Sequence, residues 1–475
     1  MKKLTLTVGS LLFAIAAYSQ NVFTNNQTAT SGGSNTVTTI SQTISGGVGN
    51  TGELNQTADG DGSTNTAGIT QTSTGDQNTA KVTQVAKASA DNTATIDQNS
   101  AGATATIDQN TDSDGSSNTA TITQAPTSGQ GTTATINQKS HTAGVNTGTI
   151  TQEGNTETAT LNQDATHNGS NTAEITQKDA NLGSTASVTQ NATDFSSNTA
   201  TVLQQADAQG NVLLTQTSTG MGSSNMANVT QNGGSYQASA NITQDAKSAS
   251  SNEATVVQNG WFETVTLNQT ADGQGSSNKA LVDQNTPGGA NSMASITQNA
   301  IGGGANEATI AQASTHGSMA TIKQVADMAG DPNIASISQA NDEHMAYISQ
   351  MGAGNKASIS QLEGPSHEAT IKQEGMGNNT QIGQAGINQT GKVTQTGNEN
   401  FAYLTQLAEG NMGEITQTGN SNSASLEQLG SFNTATFTQN GDGNSIFAVQ
   451  NGGGNSFTST QTGNNNSFSI TQNGN

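Results

Sequence analysis

Residues 118–138 read NTATITQAPTSGQGTTATINQ. Two near-copies of one heptapeptide flank an insert of Pro, Gly and Ser. In each copy Ala, Ile and Gln occupy alternate positions: Ala120, Ile122 and Gln124, then Ala134, Ile136 and Gln138. A period of two marks a strand with one buried face. Asn118 opens the first copy on that same face, and the intervening residues, mostly Thr, point the other way.

The unit recurs along the chain as Asn-x-Ala-x-(Ile/Val/Leu)-x-Gln. Clean copies are Asn92 to Gln98, Asn306 to Gln312 and Asn422 to Gln428, the last with Ala424 and Leu426 inward. Thirty-five copies can be counted, with closing glutamines from Gln42 to Gln472. Ser459 is the clearest exception at the second apolar position, and the first copy, Asn35 to Gln42, is irregular. Charges test the facing. Lys81, Asp97, Glu174, Lys279, Glu307, Lys323, Lys372 and Glu414 all fall on the outward set. Glu157, Glu263, His344 and His367 take the place of the leading Asn, at a strand end expected to be within reach of water. Pro126, Pro287, Pro332 and Pro365 lie between units, as residues that cannot donate to a ladder should.

The composition supports a repeat fold over an ordinary globular core. Hydrophobic residues are 30%, aromatics 3% and charged residues 10% of 475. Disordered chains are also poor in apolar residues, but they are usually rich in charge and lack periodicity. The formal charge is −22, and all the basic residues are Lys. A nucleic-acid partner would need a basic footprint, usually with Arg, so nucleic acid is excluded. Cysteine is absent, which removes disulfides and thiolate chemistry.

The opening MKKLTLTVGSLLFAIAAYSQ has the pattern of a signal peptide: Lys2 and Lys3, an apolar run, then small residues around a cleavage point placed after Ser19. The apolar run is shorter than the roughly 18 residues of a membrane span. No other segment suits membrane insertion. The expectation is a secreted chain with a leader over 1–19 and an N-terminal segment over 20–34, a candidate secretion signal.

Spacing divides the remainder. From Gln98 to Gln312 the steps between closing glutamines run 11, 15, 14, 14, then 11, 14, 13, 14, then 12, 15, 13, 14, then 11, 15, 14, 14. That is a super-period near 54 residues made of four units, which fits two rungs of two strands. One side of the stack would then alternate tight and long turns while the other keeps long ones. After Gln339 the steps settle to 11 or 12, a compact period near 22. The expected regions are therefore long-turn repeats over 35–339 and compact repeats over 340–475.

One pair of such strands cannot fold alone. A buried Ile is worth about 1.5–3 kcal/mol, against roughly 1–2 kcal/mol of backbone entropy for each ordered residue. Stacking gives each strand a hydrogen-bonded neighbour above and below, and lets the Asn and Gln columns bond along the stack as amide ladders. The expected fold is all-β, a two-layered parallel β-solenoid of about 17 rungs, a cross-β stack of strand-turn-strand units. At roughly 4.8 Å per rung it would be about 80 Å long. Ladder positions are Asn92, Gln98, Asn118, Gln124, Asn306, Gln312, Asn400, Gln406, Asn422, Gln428, Asn433 and Gln439. The thin core is represented by Ala120, Ile122, Ala134, Ile136, Ala424 and Leu426. Phe468, Ile470 and Gln472 form an open C-terminal edge, a template for another chain, so self-association into fibres is expected.

The compact region resembles the curlin repeats, the units of curli, which are functional amyloid fibres of Gram-negative biofilms. The resemblance rests on Gln395-Thr-Gly397-Asn-Glu-Asn400-Phe-Ala402-Tyr-Leu-Thr-Gln406 and on Gln417-Thr-Gly419-Asn-Ser-Asn422-Ser-Ala424-Ser-Leu-Glu-Gln428. It covers the chain from about Gln339 onward; before that the strand unit persists with longer turns. It implies export through a curli-type secretion pore, nucleator or chaperone subunits as partners, and a place at the surface of a Gram-negative bacterium. It also implies roles in biofilm matrix, cell adhesion and surface colonisation. The family's buried amide columns fall on Asn400, Gln406, Asn422, Gln428, Asn433, Gln439, Asn444 and Gln450.

Other chemistry has little support. His141, His167, His316, His344 and His367 show no paired ligand spacing, no GxSxG elbow is present, and no catalysis or cofactor is expected. The turns ADGDGSTN (58–65) and TDSDGSSN (111–118) resemble calcium loops but lack their closing glutamate. Trp261 and Phe262 are read as covering the flank of the stack. The alternatives are a monomeric β-solenoid adhesin or fibre-tip subunit, and an ice-binding solenoid using outward Thr rows such as Thr119/Thr121/Thr123, Thr147/Thr149/Thr151 and Thr199/Thr201.

Overall fold

Every repeat carries side chains that suit a pleat: small or aliphatic residues inward, Thr, Ser and Asn outward. The computed structural model is correspondingly built of strands. It describes residues 20–474 apart from 46, 127–130, 179–182, 206–208, 233–236, 286–290 and 314–315. The expected leader over 1–19 and Pro287 lie outside the described residues. Among the described residues there are 36 strands, β1 to β36 in chain order, and no helix.

The chain divides into two compact units, the first ending at Gln237 and the second beginning at Ala238. The first holds β1 to β16 and the second β17 to β36. In each unit odd-numbered strands form one sheet and even-numbered strands the other. Each pair of consecutive strands is thus one rung of a two-layered parallel β-solenoid.

The stretch that decides the fold shows the plan. Strand β8 (Ser117–Gln124) pairs with β10 (Val145–Gln152), setting Asn118 beside Asn146, Ile122 beside Ile150 and Gln124 beside Gln152. Strand β9 (Thr133–His141) pairs with β11 (Thr158–Thr166), setting Ala134 beside Ala159 and Gln138 beside Gln163. The two near-copies therefore belong to opposite sheets and share one core. Ala120, Ile122, Ala134, Ile136, Ala424 and Leu426 are all buried.

The structure departs from the sequence expectations in three places. First, β1 (Val22–Thr30) forms within the segment 20–34, where no repeat unit was expected, so that the described strands make eighteen pairs, in keeping with about 17 rungs. Strand β1 pairs in parallel with β3 (Thr51–Asp59), with Gln27 beside Gln56 and Ala29 beside Ala58.

Second, the longer spacing on one side is not a longer turn. Odd strands of the long-repeat region run about three residues past their Gln, and the residue two beyond it is a further core position. Ala58, Ala86, Ala165, Ala192, Ala246, Ala271, Ala300 and Ala326 fill it, all fully buried. In the compact region Gly takes this place. Gly397, Gly419 and Gly441 turn the chain there with φ of 113°, 111° and 122°, a region that favours Gly. The strand ends sooner, and the repeat shortens to about 22 residues.

Third, Glu157, Glu263, His344 and His367 are buried, not within reach of water. The start of each strand lies beneath the turn of the next rung, so the stack covers it.

Candidate functional site: the amide ladders and the terminal strand edges

Parallel in-register pairing places like residues about 4.8 Å apart, a separation that two primary amides bridge with one hydrogen bond. Gln84 Nε2 donates to Gln109 Oε1, Gln109 to Gln138 and Gln138 to Gln163, each at 2.8 Å. In the other sheet Gln98 donates to Gln124 at 2.9 Å and Gln124 to Gln152 at 2.8 Å. In the second unit the even sheet links Gln312 to Gln339 and Gln406 to Gln428, and the odd sheet links Gln439 to Gln461, each at 2.9 Å. The second Gln N–H crosses the core. Gln406 Nε2 donates to Thr390 O at 2.8 Å and Gln428 Nε2 to Met412 O at 3.0 Å, stapling one sheet to the other. These amides are buried and satisfied, as a low-dielectric interior requires.

The Asn column of the even sheet runs the opposite way. Nδ2 of Asn118 donates to Oδ1 of Asn92 at 3.1 Å, that of Asn306 to Asn278 at 2.9 Å, and those of Asn400 and Asn422 to Asn378 and Asn400 at 3.0 Å. Gln donors thus point toward the C-terminal rung and Asn donors toward the N-terminal rung. Asn433 belongs to the odd sheet. Its backbone N–H donates to Asn411 Oδ1 at 2.9 Å, and Asn455 Nδ2 donates to Asn433 Oδ1 at 3.0 Å. In that column His344 and His367 stack with centroids 4.8 Å apart and planes within 4°. Burial pushes both imidazoles below their ordinary pKa.

At the last rung, β35 (Ser456–Thr462) and β36 (Ser467–Asn473) have no strand on their outer edges among the described residues. Phe468 is 39% exposed, and Ile470 and Gln472 are half-buried. Gln472 still accepts from Gln450 at 2.9 Å, so the ladder reaches the edge. The inward Phe457 stacks on Phe468 at 5.5 Å.

The Thr rows lie in register on β8, β10, β12 (Ser170–Gln177) and β14 (Ser197–Gln204). Thr119, Thr147, Thr172 and Thr199 form one column, while Glu174 and Leu203 interrupt the two beside it. Trp261 and Phe262 stand at the surface, 51% and 39% exposed. Among the described residues no three His, Asp or Glu side chains come together as a cation site. The outward ion pairs Lys81–Glu53 and Lys392–Glu414, at 3.5 and 2.7 Å, are solvent-exposed and contribute little stability.

A family model for the curlin associated repeat matches residues 388–419 and 419–448. Residues 388–448 thus carry curlin repeats. A search of curated proteins found no match. The matched residues span the Gly397 and Gly419 turns and the Asn400, Gln406, Asn422 and Gln428 ladders, where the curlin pattern and the geometry coincide. Strand β1 and the Ala column beyond Gln were missed by sequence reasoning. The signal for both is local: Asn26-Gln27-Thr28-Ala29 repeats Asn55-Gln56-Thr57-Ala58.

Proposed function

We propose that this chain is a secreted structural subunit of extracellular curli-like amyloid fibres, supporting biofilm matrix, adhesion and surface colonisation. The observation that carries this reading is the run of amide ladders and backbone pairing out to strand edges at which inward residues remain uncovered. An unpaired, flat, in-register edge is a template for another strand, and stacking a further rung would satisfy both sheets at once. Self-association is the part of this reading closest to the curlin-repeat assignment. Export through a curli-type pore, nucleator or chaperone partners and a Gram-negative cell surface follow from the family likeness.

The role proposed is structural and non-enzymatic, with the buried Asn and Gln columns serving the stack itself. Outward charges such as Lys323 and Glu414 suit gatekeeping against lateral aggregation. The test is to dilute residues 20–475 from denaturant and follow thioflavin fluorescence and fibre diffraction. Fibres with a meridional reflection at about 4.7–4.8 Å are expected. A stable monomer with no growth would overturn the polymer and favour a solitary adhesin. Thermal hysteresis in that monomer would instead point to the Thr columns.

A further inference from the structure

We propose that Met319 and Met345 form a binding site for a soft monovalent cation of the Cu(I) or Ag(I) class, on the outer face of the odd sheet in the second unit. The site is independent of fibre growth, because both residues stand on interior strands of a single copy.

Methionine is a flexible, apolar side chain that ordinarily fills irregular gaps in cores. In this chain it does the reverse. All nine methionines among the described residues are exposed, by 40% to 75%. The core is built from Ala, Ile, Leu, Val and Phe instead. Core packing therefore does not account for where the thioethers stand.

Register brings three of them together. Strands β21 (Met293–Ile301), β23 (Met319–Ala326) and β25 (Met345–Ala353) pair in parallel, setting Met293 beside Met319 and Met319 beside Met345. The next residue of that outward column is Glu368, at the start of β27 (Glu368–Met376). Further along, Met412 lies alone between Thr390 and Thr434. A shallow groove of about 210 Å³ is lined by Met319, Met345, Tyr347, Glu368 and the small residues around them. That is room for an ion and its remaining waters, at about 30 Å³ for each water.

The chemistry follows from the sulfur. A thioether is a soft, neutral ligand that selects Cu(I) over hard cations. Two metal–sulfur bonds of roughly 2.3 Å span about 4.6 Å, close to the ~4.8 Å between rungs. One ion can thus bridge two adjacent rungs once the long Met side chains turn toward each other. Glu368 supplies the negative charge that two neutral ligands lack, in a chain whose formal charge is −22. Met293 stands one rung away on the other side, as a further thioether. Binding displaces water and transfers no electron.

Silver(I) alone is the probe, because it tests the thioethers without a reductant. Titrated into the full chain and followed with a silver-selective electrode, it should show a tight class of sites above the background from isolated Met and from the exposed His167 and His316. Met319→Leu and Met345→Leu keep volume and apolarity, and circular dichroism checks that each variant retains its β-structure. Each should weaken the tight class at least about tenfold, the scale on which metal sites lose affinity when their contacts are removed. Met412→Leu, as exposed but isolated, should change it less than about twofold. X-ray absorption at the silver edge should show sulfur neighbours. A tight class that survives Met319→Leu and Met345→Leu, falls equally with Met412→Leu, yields to an equal concentration of Zn²⁺, or is missing from the unsubstituted chain would overturn the proposal.

Discussion

Gln406 donates from Nε2 to Oε1 of Gln428 at 2.9 Å, and Gln428 donates in turn to Gln450 at 2.8 Å and to the carbonyl of Met412 at 3.0 Å. One side chain thereby satisfies two amides of its ladder and one backbone group of the opposite sheet. Removing it takes a hydrogen-bond partner from each of these three groups, two of them on fully buried side chains.

Gln428→Ala is accordingly expected to cost about 3 kcal/mol or more, since each buried group left unsatisfied costs ~1–3 kcal/mol. The control is Ser425→Ala, at an outward, half-buried position of β32 (Ser423–Gln428), which should change stability by less than about 0.5 kcal/mol. Urea denaturation followed by circular dichroism compares the two. Equal midpoints would show that the ladder contributes no more than the outer face.

The Gly column of the compact repeats gives a second prediction. Gly397 has φ +113°, and a Cβ there would lie 2.1 Å from the carbonyl oxygen of Gly419, which accepts from Asn400 at 2.8 Å. Gly397→Ala must move that carbonyl and disturb the Asn bond, besides holding a side chain in a strained backbone region that costs ~1–3 kcal/mol. Gly383→Ala is the contrast, because its Cβ would come no closer than 3.9 Å to Thr405 Oγ1. It should be neutral or stabilise by about 0.4–1 kcal/mol, through the unfolded chain. Thermal melts of the two variants are expected to shift in opposite directions or by clearly unequal amounts. Equal losses would refute the role assigned to the Gly turn.

These contrasts show what was legible in the sequence. A period of two with one dominant unit is a strong signal, because a one-residue slip would turn every Ile outward. Strand facing, two sheets and amide stacking followed from it, and Gln124, Gln138 and Gln428 lie on their ladders. What escaped depended on the third dimension. Ala165 and Ala192 lie beyond the closing Gln, so their spacing was read as turn when they extend the strand. Glu157 and Glu263 look solvated by residue type, but coverage by the next rung is a property of the stack. Size compensation was equally hidden: Leu404 Cδ1 lies 2.7 Å from where a Cβ on Gly413 would stand, so the Gly serves its neighbour in the opposite sheet.

The stacked imidazoles set the pH dependence. Nε2 of His344 is bonded to Ala340 O and that of His367 to Glu363 O, both at 2.8 Å. Their Nδ1 atoms accept the backbone N–H groups of His367 and Gln389, both at 3.2 Å. Each ring is therefore held neutral, and a proton on Nδ1 would point at another N–H. Burial is the largest cause of the lowered pKa at both sites; the hydrogen bonds to Ala340 O and Glu363 O oppose it, the neighbouring His367 lowers His344 further, and Asp342 raises it weakly. With the folded pKa below the unfolded value, the unfolded chain takes up protons first as pH falls. Stability is expected to be level above the unfolded value of about 6.5, and to decline as pH drops from there toward the lowered folded values. His344→Gln with His367→Gln, which extends the residue type already present at Gln389, should flatten that decline between about pH 6.5 and 5. Denaturation midpoints measured for both proteins across this range decide the matter, and an unchanged slope in the double variant would locate the titration elsewhere.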